Sequence, residues 1–245
     1  MGEKEVIRKK RVRRPNSEID QNIAAAMKKL VARKGFSNLT LSAVAQQSKV
    51  DPPVLYNKFG DLNGLLKLFT ENYELWPSKI IDGHIQKFQD GKHEEFLCEV
   101  LSDITQELYK DKIIKQLLIW ELADTNEINR NTAKMRESNV YMFSRVYKNL
   151  FNETDVDAPV FVAIIVAGIY YLVLHKDVST FCSVDFSSEE GKKALLKTIE
   201  KLCSILFAEL APNKQLLKVA AKLKKKGVDI NTIAECTGLP LELIK

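Results

Sequence analysis

The sequence predicts an all-α protein: a three-helix domain near the N-terminus, a larger helical domain after it, and a small helical tail. Three observations carry this. Apolar residues recur every three to four positions over most of the chain, the period of one helix face. Glycine and proline are sparse, 10 and 7 in 245 residues, so long loops are few. Runs in which Val or Ile alternate with polar residues, the mark of a half-buried strand, are almost missing.

Each element follows in order. Ser17 is placed to cap a first helix running to about Lys34, with Ile19, Ile23, Ala26, Met27, Leu30 and Val31 on one stripe and Gly35 at its end. Thr40 caps a short second helix, about Leu41 to Gln47, whose Leu41, Val44 and Ala45 face inward. Lys49–Val50–Asp51 breaks it, and Asp51 can cap a third helix that begins Pro52–Pro53, carries Leu55, Tyr56 and Phe59, and ends at Gly60. Asp61 opens a fourth helix with Leu62, Leu65, Leu66, Phe69, Tyr73 and Trp76, which Pro77 should break or bend. Further helices are expected at about 78–90, 94–109, 111–125, 130–152, 157–177 and 187–211. The helix at 157–177 is apolar nearly all round, so it should be central or lie at a subunit interface. Pro212 should separate a last segment: a lysine-rich helix over 213–226, then two short helices, Asn231–Cys236 and Pro240–Lys245. The expected organisation is a basic flexible arm over 1–14, domains over 15–62 and 63–211, and a tail over 212–245.

Composition narrows the function classes. The net charge of +5 is uneven: residues 1–14 hold seven basic and two acidic side chains, and residues 212–245 hold seven lysines against three acids. Basic ends around a mildly acidic body suit a polyanionic partner. The four cysteines, Cys98, Cys182, Cys203 and Cys236, make no C-x-x-C pair and fit no disulfide framework, which suits reduced thiols in the cytoplasm. No signal peptide is evident. The longest apolar run, Phe161–Leu174, falls short of the roughly 20 residues a bilayer needs, so no membrane partner is expected. His84, His93 and His175 are scattered, and no phosphate loop or nucleophile elbow occurs. No enzyme activity, catalytic residue, metal or cofactor is therefore expected.

Two short helices joined by a tight turn and braced by a longer first helix form a helix-turn-helix, a reader of the DNA major groove. The residues Ile23, Ala26, Leu30, Gly35–Phe36, Thr40–Leu41, Val44–Ala45, Val50, Leu55–Tyr56, Phe59 and Leu65 carry a resemblance to the TetR family of one-component regulators. The stretch Gly35-Phe-Ser-Asn-Leu-Thr-Leu-Ser-Ala-Val-Ala, followed by Val-Leu-Tyr-Asn-Lys-Phe, is close to that family's signature and lies within residues 17–66. The resemblance implies that Thr40 caps the second helix and touches a phosphate. It implies that Ser42 reaches a base or phosphate, that the Tyr56 hydroxyl sits on a phosphate, and that Lys58 adds charge nearby. Lys49, Val54 and Asn57 complete the candidate DNA-binding set. The chain also departs from the family. Lys49 stands where a small residue or glycine is usual, Asp51-Pro52-Pro53-Val54 replaces a basic, glycine-containing lead, and Leu62 replaces a lysine. Two prolines remove backbone donors and Asp51 repels phosphate, so backbone affinity should drop.

The family likeness implies a ligand-binding and dimerisation domain over 63–211, with the last two long helices pairing with their mates in a homodimer. It implies a sequence-specific, ligand-responsive repressor on palindromic double-stranded DNA, answering to a small hydrophobic effector. Leu117, Trp120, Tyr141, Phe143, Tyr170 and His175 are candidate cavity residues, but each also suits plain core, and no ligand site is assigned. A second reading is a helical protein-interaction module whose helix-turn-helix no longer reads DNA. The tail resembles a second small helix-turn-helix, fit for a DNA accessory, an oligomer contact or a partner hook.

If the basic arm compensates for the weakened helix start, deleting residues 1–14 weakens DNA binding. It also lowers the slope of log affinity against log salt, by up to about 6 at ~0.9 for each phosphate no longer neutralised. Titrations of both forms across salt decide it, and an unchanged slope removes the arm from the interface.

Overall fold

The computed structural model describes residues 16–73 and 75–244. The basic arm lies outside the described residues. The helices are α1 (Asn16–Lys34), α2 (Leu41–Ser48), α3 (Pro52–Phe59), α4 (Leu62–Glu71), α5 (Trp76–Gln89), α6 (His93–Lys110), α7 (Lys112–Ala123), α8 (Glu127–Leu150), α9 (Ala158–His175), α10 (Glu189–Ala208), α11 (Ala211–Lys225), α12 (Ile230–Thr237) and α13 (Leu241–Ile244). Among the described residues the β pairing is a single bridge, Phe181 to Val184, and the fold is all-α.

Pro77 does not break α4, which has already ended, while Pro212 falls where α10 gives way to a last helical segment. Pro77 and Pro212 stand in the first turns of α5 and α11 and end neither helix. A first turn has no intrahelical use for their missing N–H, so proline is at home there. α4 stops at Glu71, which leaves Trp76 to open α5. Ser17 is already inside α1.

The chain divides into two compact units, Met1–Glu74 with Lys112–Ala133, and Leu75–Asp111 with Lys134–Lys245. The core of the first gathers Ile23, Met27, Leu30 and Val31 of α1, Val44 of α2, Leu55 of α3 and Phe69 of α4. It also takes Ile113, Leu117 and Trp120 from α7. Phe36 stacks on Trp120 with ring centroids 4.7 Å apart and planes 8° from parallel. Leu117 and Trp120 are thus core of this unit rather than cavity lining. Gly35 has φ +73°, and a Cβ there would meet Gln116 of α7 at 2.8 Å, so both backbone and space favour glycine. Beyond α7 the buried Asn129 side chain donates to the carbonyls of Trp120 (3.2 Å) and Asp124 (2.6 Å), fastening the turn into α8.

The second unit packs α6 against α5, α9 and α10. Its centre is aromatic: Phe88 touches Phe96 and Phe143 at 5.0 and 4.9 Å, and Tyr147 and Phe151 flank Phe207. The Tyr147 hydroxyl donates to the His93 carbonyl at 3.0 Å, and burial raises its pKa. His84 of α5 sits between Glu99 and Asp103 of α6, 2.9 Å from each, and Lys87 pairs with Glu99. α9 buries Ala158, Ile165, Ile169 and Val173, while Val160, Ile164 and Tyr171 stay exposed. By length and composition α9 could cross a membrane, but its buried face packs on α6 and α10. Tyr141 is exposed and Phe143 is packed within the aromatic centre.

The cysteines separate by burial. Cys182 and Cys236 are exposed, whereas Cys203 of α10 is buried against Cys98 of α6. Burial pushes the Cys203 thiol up to about 12 and also raises Cys98. Thiolate is the reactive form. A thiol titration at pH 8 should therefore find Cys182 and Cys236 fast in the native chain and the other two only after denaturant. Four fast thiols would contradict this packing.

Candidate nucleic-acid interface

The turn between α2 and α3 is built by short-range rules. Thr40 lies in extended backbone, and its Oγ1 accepts from the Ala43 N–H at 3.1 Å, capping α2. Lys49 then takes the left-handed conformation, φ 55° and ψ 37°, to end it. Ser48 is buried between, its hydroxyl donating to the Val44 carbonyl at 2.7 Å, and Val50 drops into the core.

Asp51 stands at the N-cap position of α3, but contrary to expectation its side chain makes no capping bond there. The reason is chemical. Neither Pro52 nor Pro53 has an N–H to offer, and the Val54 N–H bonds to the Asp51 carbonyl at 2.9 Å. The start of α3 thus presents no free backbone donor in its first two positions.

Leu55 is fully buried, which turns the rest of α3 outward. At 100° per residue, Pro53 and Asn57 lie opposite Leu55, with Val54 and Tyr56 on the flanks. Tyr56 is 54% exposed, so it is no half-buried core residue. Thr40, Ser42, Lys49, Val54, Tyr56, Asn57 and Lys58 are all exposed, on one motif of about twenty residues. Lys58 lies nearer the buried side. It pairs with Asp20 of α1 and sits 5.9 Å from the Phe59 ring centroid. Such an exposed pair contributes only ~0–1 kcal/mol, but it takes up part of the charge that Lys58 would offer a phosphate.

Asp20 is invisible in the sequence, since one acid on a helix gives no sign of a partner 38 residues away. The need for Gly64 is equally hidden. Asp61 caps α4 through the Gly64 N–H at 2.8 Å, and any Cβ on Gly64 would collide with the Phe59 carbonyl. Among the described residues no group of three or more His, Cys, Asp or Glu side chains could hold a metal ion.

Residues 23–68, which include the whole of α2–turn–α3, match the profile of the tetR family of bacterial regulatory proteins. The helix-turn-helix of this chain is therefore similar to that of the tetR family. Three solved structures are similar in fold. A TetR family transcription regulator from Marinobacter aquaeolei VT8 superposes with a TM-score of 0.52 at 16% identity, over 76% of this chain and 96% of that one. A TetR-like transcriptional regulator from Rhodococcus sp. RHA1 gives 0.55 at 14%, over 80% and 99%. A fatty acid degradation regulator from Bacillus halodurans gives 0.53 at 17%, over 75% and 97%. No protein with a curated description matches the sequence significantly. The TetR motif and fold together support a DNA-binding transcriptional regulator.

Within this TetR motif Lys49 carries a backbone cost, because a side chain with a Cβ is strained at positive φ. Lys49→Gly should raise stability by about 1 kcal/mol, read as a higher denaturant midpoint with unchanged slope. A lower midpoint would show that the lysine side chain contributes more than its backbone costs.

Proposed function

We propose that this chain is a ligand-responsive transcriptional repressor that binds a palindromic operator as a homodimer, in the cytoplasm. The observation that carries the DNA reading is α3 itself. It is locked by buried Leu55 and presents Val54, Tyr56 and Asn57 outward, as a recognition helix does. Thr40 and Ser42, exposed at the start of α2, are the phosphate-side partners in this reading, with Lys49 beside them in the turn and Lys58 at the far end of α3.

The homodimer is supported by α9. Val160, Ile164 and Tyr171 recur at helical spacing and stay exposed, Ile164 at 67%, and Ile205 is exposed on the adjacent α10. An apolar stripe of this kind marks an interaction surface. A second copy meeting it through a two-fold axis would bury both stripes at once. The two recognition helices would then meet half-sites about 34–36 Å apart.

In this reading a small hydrophobic effector enters at the aromatic centre of the second unit. There His93 lies against Phe88 and Tyr147, with its Nδ1 buried without a partner among the described residues and its pKa lowered by burial. A neutral imidazole among aromatic rings gives one polar handle for a mostly apolar molecule. Such a molecule would act by favouring one of two packings of the dimer.

Two measurements test this reading. Sedimentation of the intact chain should give twice the mass of one chain, and Ile164→Glu should give a monomer. Titration with the palindromic fragment upstream of its own gene should show preference over random duplex. Asn57→Ala should lose about 1–3 kcal/mol of that preference. Equal affinity for both duplexes at low salt would favour the protein-interaction reading.

A further inference from the structure

The tail repeats the architecture of the DNA-binding head position by position. Counting from the N-cap of each first helix, Thr40 and Asp229 both accept from the N–H three residues on, at 3.1 Å in each. Four residues after the cap come Val44 and Ile233, both fully buried, followed by Ala45 and Ala234. Eight residues after it stand Ser48 and Thr237, both buried. Each hydroxyl donates to the carbonyl four residues back, at 2.7 and 2.6 Å. The ninth position is left-handed in both, Lys49 at φ 55° and Gly238 at φ 68°. Val50 and Leu239 follow, both buried. The second helices, α3 and α13, each begin at the twelfth position, and Leu55 and Ile244 are buried at the fifteenth.

The bracing helix is repeated as well. α1 ends at Gly35 with φ +73°, and α11 is followed by Gly227 with φ +79°. α11 closes a separate small core in which Ala220 meets Ile233, Leu239 and Ile244, with Leu216, Leu217 and Leu223 packed on it. Lys224 Nζ donates to the Ile244 carbonyl at 3.1 Å and ties α11 to α13.

The two motifs differ in what they present. α13 shows Leu241, Glu242 and Leu243 to solvent, which offer no donor to a base edge. The charge lies instead on α11. Lys218, Lys222, Lys225 and Lys226 are exposed on the side away from Ala220. From Lys218 to Lys222 and on to Lys225 the axial steps are about 6 and 4.5 Å. No carboxylate occurs in the sequence between Glu209 and Asp229. Among the described residues none of the four lysines has an ion-pair partner. The three solved structures with this fold are covered almost end to end while a fifth to a quarter of this chain lies beyond each superposition.

We propose that α11–α12–α13 is a second DNA-binding head, which grips the duplex backbone through Lys218, Lys222, Lys225 and Lys226 and does not read sequence. A row of uncompensated cations on a rigid helix complements a polyanion, and phosphate contacts of this kind position a protein without specifying bases. The small core and its caps hold the row in one geometry, so little order is lost on binding. In the intact regulator this head adds sequence-independent affinity to whatever α3 selects.

The test uses the full chain and a random-sequence duplex of about 40 base pairs, titrated by fluorescence anisotropy across salt. Replacing all four lysines by glutamine should lower the log–log salt slope by up to about 3.6, at ~0.9 for each phosphate no longer neutralised. Replacing all four by arginine should keep the slope. Circular dichroism checks that both variants stay folded, as expected for side chains pointing away from the core. Equal slopes for wild type and the glutamine variant overturn the proposal. So does an equal loss in the glutamine and arginine variants, because charge is then not the cause. The outcome is separable from the operator reading. If operator preference is absent but the glutamine variant still lowers the slope, the tail binds DNA and α3 does not select it.

Discussion

The stack of Phe36 on Trp120 is the interaction on which the DNA-binding head depends. α2, α3 and α4 are short, with eight, eight and ten residues, too few to be stable alone. Their apolar faces need a wall, and α7 provides it with Ile113, Leu117 and Trp120. Phe36 lies just past the end of α1, so the stack fixes the first helix and the entry to the helix-turn-helix together. Gly35 then becomes a necessity, because α7 comes close enough that Gln116 fills the space of a Cβ. A helix some fifty residues downstream of the motif is therefore structural material of the reading head.

Much of the head is legible in the sequence because its signals are local. Thr40 before Leu41, Gly60 after Phe59 and Asp61 before Leu62 are capping chemistry, and they set element ends to within a residue or so. What the sequence does not show is which helix packs on which. The periodicity of α7 says that it has a buried face, and nothing in it says that the face meets Phe36. Leu117 and Trp120 therefore suit a cavity as well as a core until the fold is known. The Asp20–Lys58 pair is hidden for the same reason. A proline misleads in the opposite direction. Pro77 reads as a break in the fourth helix, but a proline at a helix start and one at a helix stop look alike until the following N–H groups are seen to bond.

Among the candidate DNA-facing residues, exposure follows from the burial of a few neighbours. Leu55 at the centre of α3 decides the orientation of Val54, Tyr56 and Asn57, and Val44 and Ser48 do the same for α2. The same arithmetic operates in the tail, where Ile233 and Ile244 set what α12 and α13 show. Two copies of one local grammar carry different surfaces. One surface is polar and aromatic on its second helix, and the other is cationic on its bracing helix.

The paired prolines at the start of α3 have a consequence beyond the missing donors. Each ring fixes φ near the helical value, so the first turn of this eight-residue helix is formed with little freedom left to surrender. A typical reading helix gains enthalpy from backbone N–H groups aimed at phosphate and gives up conformational entropy as its start orders. Here the balance shifts toward preorganisation: fewer directed contacts, and a smaller ordering cost when the groove is entered. Binding through such a helix should depend less on induced fit than on the shape the head already has.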